Sequence, residues 1–225
     1  MQSVENFYDS LSHDYTDLIR RCVPRYGELL FNMFCYLPRG FKPQRILDLG
    51  CGTGNLTEQI RLHFPDAEIT AVDISGEILK ECETRFRGDR EIRYVQADFR
   101  DLPFAPASFD LVMSSIAIHH IRDPEKSLLY RRIHELLSPG GIFVFADQTR
   151  GITDEIYAVH MERWKEEAFR LGSTDENWRM WMEHQEAHDY HTPVSWHLDE
   201  LRGSGFREVD ALWKNIMWLV AWARK

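Results

Sequence analysis

Three groups of residues in this 225-residue chain are spaced for chemistry. The first is Asp48-Leu49-Gly50-Cys51-Gly52-Thr53-Gly54, in which three glycines in GxGxG spacing follow a carboxylate. Glycine tolerates positive φ and carries no Cβ, so backbone N–H groups can approach a ligand closely. A helix starting after the last glycine turns its N-terminus on that ligand. A dinucleotide loop would read GxGxxG and a P-loop would end in GK[ST]; neither is present. Asp48 suits an ammonium group or a water network and is poorly suited to a pyrophosphate. Asp73, 19 residues after Gly54 in AVDIS, is placed to accept hydrogen bonds from ribose hydroxyls. Asp98 in QADF can accept from an exocyclic adenine amine, with Phe99 packing nearby.

The second group is His119-His120, and the third is His184, His188 and His191 at i, i+4 and i+7. An imidazole titrates near neutral pH, so His119 or His120 can serve as a general base, although capping or packing would explain the pair equally. On one helical face, the triplet could ligate zinc or iron, with Trp181 and Asp189 close by. A half-exposed polar face or hydrogen bonding to a substrate is the alternative.

The elements that must carry these groups alternate. RILDL (45–49), 68–72, 92–96, 109–114 and 142–146 read as strands, and 55–64, 77–86 and 124–137 as helices. Strands alternating with such helices predict right-handed βαβ units and a parallel sheet, with the three loops above at its switch point. Residues 3–37 read as helical with a break at Pro24. The stretch 152–192 reads as two amphipathic helices, whose tryptophans either pack in the core or wall an apolar pocket. A helix at 194–202 then leads to a hairpin of 206–213 and 216–223, turning at Lys214-Asn215.

Bulk properties restrict the partners. The 27 basic and 36 acidic side chains leave a net charge of −9, which works against a polyanionic substrate. The four cysteines form no CxxC pair, so free thiols in a reducing compartment are expected. The sequence shows no membrane-length apolar run and no signal-peptide pattern at its start, and a cytoplasmic protein is the expectation.

In order and spacing, ILDLGCGTG, AVDIS, QADFRDLPF, FDLVMSSIAIHHI and LLSPGGIFVFAD resemble the class I S-adenosylmethionine-dependent methyltransferases over residues 45–147. The resemblance implies a doubly wound α/β domain with a mostly parallel seven-stranded sheet and a C-terminal antiparallel hairpin. A helical lid (1–40), a cofactor-binding core (41–150), a helical insertion (151–193) and a terminal helix with hairpin (194–225) would divide it. S-adenosylmethionine is the implied cofactor and S-adenosylhomocysteine its product. Asp48 and the Gly50, Cys51, Gly52 backbone would surround the methionine part, and Asp73 the ribose. Ile74 would flank the adenine, Asp98 and Phe99 meet its amine and ring, and Ser114 and Ile116 lie near the sulfonium. The N-terminal segment resembles the lid helices of small-molecule members, with Tyr15 and Arg20 or Arg21 covering the cofactor and pairing with its carboxylate.

The implied reaction is methyl transfer to an O, N, S or C atom of a small molecule, without nucleic acid or membrane; a homodimer stays open. The resemblance leaves four alternatives: a tRNA-modifying enzyme, a synthase that alters the cofactor, a metal-assisted methyltransferase and a non-catalytic partner subunit that binds the cofactor.

Overall fold

The computed structural model describes Phe7 and residues 15–225, the side chain of Tyr15 excepted. Two helices, α1 (Tyr15–Cys22) and α2 (Tyr26–Cys35), precede the sheet, with the break at Pro24 where the sequence predicts it. The alternating part runs β1 (Arg45–Leu49), α3 (Asn55–His63), β2 (Glu68–Asp73), α4 (Gly76–Arg85), β3 (Ile92–Gln96) and β4 (Phe109–Ser115). After a single 3₁₀ turn at Ile118–His120 come α5 (Asp123–Leu136) and β5 (Leu137–Arg150). The insertion is α6 (Asp154–Arg170) and α7 (Asp175–His188), and the two-residue β6 (Thr192–Pro193) returns it to the sheet. α8 (Val194–Gly203), β7 (Glu208–Asn215) and β8 (Trp218–Arg224) complete the chain. Short side chains start several helices: Ser75, Thr153 and Thr174 accept the backbone N–H of Ile78, Ile156 and Asn177.

The sheet order is β3-β2-β1-β4-β5-β8-β7, with β6 paired to β5 alongside this path. The first five strands are parallel; β8 is antiparallel to both β5 and β7. Alternate residues along each strand feed opposite layers. Ile46, Ile69 and Val144 pack with α1–α4 and α6, whereas Leu47, Leu49 and Phe145 pack with α5 and α8. The expected doubly wound fold is therefore present. Strand order reverses at β1, so the loops after β1 and β4 face each other across a crevice.

Two local expectations need correction. The hairpin turns at Ile216-Met217, not at Lys214-Asn215, because Asn215 still pairs with Trp218 in the ladder. A bulge between Ala211 and Trp213 shifts the register, and the Met217 carbonyl is drawn inward by both the N–H and hydroxyl of Thr149. The segment 138–141 forms an irregularity inside β5, not a separate connection: Leu137 pairs with Phe109 and Ile142 with Leu111, so the intervening residues bulge out.

Candidate active site at the switch point

The loop after β1 is pinned from below. The N–H groups of Gly50 and Cys51 both donate to the Val72 carbonyl, at 2.8 and 2.9 Å. Gly50 has φ +74°, and a Cβ there would lie 2.5 Å from the Ala117 methyl and 3.1 Å from the Phe99 ring. This is the close approach for which glycine is required. Asp73 accepts from the N–H of Gly52 at 2.9 Å and of Ser75 at 3.0 Å.

These groups border a cleft of about 680 Å³, open solvent included, with Gly50, Gly52 and Asp73 along one side. Ile74, Ile78, Phe99 and Ile121 supply flat apolar walls, and Ile116, Ala117 and His120 close the inner end. Asp98 is also at the cleft, with both oxygens engaged by Arg100: the backbone N–H at 2.9 Å and the guanidinium at 2.7 Å. Arg100 continues to Glu125 at 2.6 Å and forms the rim.

Asp48 lies fully buried beneath the loop. Thr57 donates to its Oδ2 at 2.5 Å, while Oδ1 has no hydrogen-bond partner among the described residues. Burial pushes this carboxyl up to about 7, Asp73 adds to the rise, and the Thr57 hydroxyl opposes it. A cleft with an apolar slot, a strand-end carboxylate and an orphaned buried oxygen fits the adenine, ribose and ammonium of S-adenosylmethionine.

Other sequence candidates lie around this cleft without lining it. Cys51 is buried, and contact with Cys82 together with burial keeps its thiol protonated. Ser114 spends its hydroxyl on the Leu49 carbonyl at 2.7 Å, tying β4 to β1. Arg20 is exposed on a separate cleft with Val23, Tyr26, Asn55 and Glu58. The Tyr15 side chain lies outside the described residues. Nevertheless α1 does reach the loop, since the Thr16 hydroxyl contacts Thr53 at 3.1 Å and Asn55 at 3.2 Å.

Ile116 also lines a second, narrow cavity of about 360 Å³, open solvent included, with Trp164, Trp181, Trp218, His119, His184 and Asp189 among its walls. The histidines meet here, but not on one helix face. α7 ends at His188, and Asp189 is extended (φ −99°, ψ 134°), leading into the β6 pairing with β5. His191 therefore arrives on an extended segment, and an unbroken face for His184, His188 and His191 does not exist. His184 and His191 approach Asp189, as do His119 and His120, whereas His188 packs against the His184 ring at 5.1 Å.

Asp147, three residues before the end of β5, holds the other side of His119. Its two oxygens contact His119 Nδ1 at 2.5 Å and accept the His119 backbone N–H at 2.9 Å. Burial alone would lower the His119 pKa, but Asp147 and Asp189 outweigh it and raise it. Burial lowers His120 and His191 and takes His184 down to about 3. Lys126, fully buried in α5, donates to the Tyr190 carbonyl and, at 2.6 Å, to Thr192 Oγ1, clamping the segment that carries Asp189. Sequence reasoning missed Asp147 and Lys126. Asp147 had a signal, a carboxylate directly after a predicted strand like Asp73; Lys126 had none, because it reads as an ordinary solvated helix residue.

Residues 46–141 match a family model described as a methyltransferase domain. That match supports a class I S-adenosylmethionine-dependent methyltransferase. Among curated relatives of this family, it is 28% identical over 142 residues to a malonyl-[acyl-carrier protein] O-methyltransferase of Legionella pneumophila, covering 63% of this chain and 48% of the relative. It is 30% identical over 159 residues to a carboxy-S-adenosyl-L-methionine synthase of Aeromonas salmonicida, covering 66% and 63%. The chain thus spans about half to just under two thirds of these relatives. A solved S-adenosylmethionine-dependent methyltransferase from Mesorhizobium loti superposes with a TM-score of 0.61 at 25% identity, covering 86% of this chain and 95% of that one. Among the described residues, no helix is long and apolar enough to cross a membrane.

Proposed function

We propose that this chain transfers the methyl group of S-adenosylmethionine to a nucleophilic atom of a small molecule held in the tryptophan-lined cavity. One observation carries the reading: Ile116 lines both the cofactor cleft and that inner cavity, so the two volumes meet at one side chain. When bound, the cofactor supplies an electrophilic methyl on its sulfonium. The chain's part is alignment and water exclusion, the main requirements of an in-line displacement. Asp73 accepts from the ribose hydroxyls, Ile74 and Phe99 enclose the adenine, and ionised Asp48 pairs with the ammonium.

The cavity walls combine indole faces with a few polar groups, the usual make-up of a small-molecule site. The net charge of −9 supports an acceptor other than nucleic acid. The test is S-adenosylhomocysteine release with a panel of small amines, phenols, thiols and carboxylic acids. Turnover should appear for one class, and its KM should rise, with cofactor affinity kept, in Val23→Phe, which adds bulk to the cavity lining. Tight cofactor binding with no turnover on any class would sink the reading in favour of a partner subunit.

A further inference from the structure

Asp189 is surrounded by imidazoles at an unusual spacing. From its Oδ1, His120 Nδ1 is 3.2 Å away, His184 Nε2 3.6 Å and His119 Nε2 3.7 Å. From its Oδ2, His191 Nε2 is 3.6 Å away. Most of these separations exceed a hydrogen bond, whose N···O distance runs about 2.7–3.2 Å. They do match the edge of a coordination tetrahedron: zinc bonds of about 2.0–2.1 Å to nitrogen and oxygen set ligand atoms roughly 3.3–3.4 Å apart.

The surrounding contacts fix which nitrogen is available. With Nδ1–H donating to Asp147, the neutral ring of His119 turns its Nε2 lone pair towards Asp189. A lone pair opposite a carboxylate oxygen is repulsive unless a cation lies between them. An imidazolium is the competing cation, and its Nε2–H would need a shorter separation than 3.7 Å to donate to Asp189. The carboxylate–histidine arrangement of Asp147 and His119 is the one that orients and strengthens an imidazole ligand. Tyr157 OH, 2.7 Å from His191 Nδ1, orients that ring similarly. Asp189 itself is held in place because Tyr190 N–H donates to the His119 carbonyl at 2.7 Å.

We propose that His119 Nε2, His120 Nδ1 and Asp189 Oδ1 bind one divalent first-row transition ion, Zn²⁺ foremost, with the fourth position left to solvent or substrate. The first three ligand atoms all lie within 4.8 Å of one another. Imidazole-rich donors with one carboxylate suit zinc over magnesium or calcium. His188, singled out by spacing, is not part of the site.

The experiment is metal analysis of the full chain after chelator treatment and reconstitution with Zn²⁺, together with Zn²⁺-dependent melting and the ligand-field spectrum of the Co²⁺ form. One ion per chain, a raised melting temperature and an intense tetrahedral Co²⁺ spectrum are expected. Asp147→Asn should weaken Zn²⁺ binding by about 10–100-fold, and Asp189→Asn or His120→Asn by more. His188→Asn should change nothing. Should Asp189→Asn fail to fold, His120→Asn decides. Wild-type protein that neither retains nor is stabilised by Zn²⁺, or binding that survives both Asp189→Asn and His120→Asn, would overturn the site. These readouts involve no methyl transfer, so they stand or fall apart from the proposed activity.

Discussion

Asp73 Oδ2 accepts the Gly52 backbone N–H at 2.9 Å, so the carboxylate ending β2 holds the loop ending β1 in its ligand-facing shape. The same carboxylate is the one expected to receive the ribose hydroxyls. Asp73→Ala therefore removes a positioning contact and a binding contact together. A hydrogen bond to a charged group is worth about 1.5–3 kcal/mol, so S-adenosylmethionine should bind roughly 10–100-fold more weakly by calorimetry. Asp73→Asn, which keeps one acceptor oxygen, should lose less. An unchanged dissociation constant in the alanine variant would remove Asp73 from the site.

Gly50→Ala tests the cradle. The new methyl would sit 2.5 Å from Ala117 Cβ in a backbone held at φ +74°. Overpacking of about 1–3 kcal/mol adds to a backbone term of about 1–2 kcal/mol, and the displaced loop should no longer bind cofactor. Gly88→Ala is the control: its φ is +98°, but nothing lies within 4 Å, so only the backbone term applies and affinity should be normal. Denaturant midpoints and cofactor titrations of the two variants separate the effects.

Much of this frame was legible because its determinants are local. The GxGxG loop, Asp73 at its strand end and the alternation of short apolar strands with helices depend on neighbours a few residues away. The inner cavity was not legible, since it is built by meetings across the sheet. Lys126 lies 64 positions from Tyr190, and Trp164, whose indole N–H donates to the Cys22 carbonyl at 2.7 Å, lies 142 positions away. The histidine triplet shows the limit of spacing arguments. Helical periodicity placed His191 beside His188, but the pairing of Thr192-Pro193 with β5 pulled the chain straight at Asp189 and exchanged His188 for His119 and His120.

Cofactor binding should carry the titration of Asp48. Its carboxyl, raised from 3.8 to about 7 by burial, keeps a proton in the folded chain that the unfolded chain has already lost. Between those values the folded state binds more protons, so this group's contribution to stability falls as pH rises from about 4 to 7 and is level above. The ammonium of the cofactor pairs with the ionised form. Affinity should accordingly rise with pH by up to about tenfold per unit below 7 and then flatten. Calorimetry across pH 5.5–8 checks this (roughly the window set by the shift), and Asp48→Asn should abolish the slope. A slope that persists in the variant would place the titrating group elsewhere.

Lys126→Met asks whether a buried ammonium positions the acceptor side of the site. The ammonium donates to the Tyr190 carbonyl and to Thr192 Oγ1, and it pairs with a half-exposed Asp123 at 3.2 Å. Solvent reduces the worth of the Asp123 pair, so the cost arises mainly from unsatisfied acceptors, about 1–3 kcal/mol for each that stays buried. A total loss of roughly 2–4 kcal/mol is expected, because Thr192 keeps its own donation to Asp123 at 2.6 Å. The local consequence is sharper than the global one. With the clamp gone, the Tyr190 N–H that bonds the His119 carbonyl should exchange with solvent much faster than amides in β1 or β4. Cofactor affinity should stay normal, since the acceptors of Lys126 (Asp123, the Tyr190 carbonyl and Thr192) do not line the cleft. If exchange at Tyr190 rises no more than the global loss accounts for, Lys126 supports the fold as a whole and does not position Asp189.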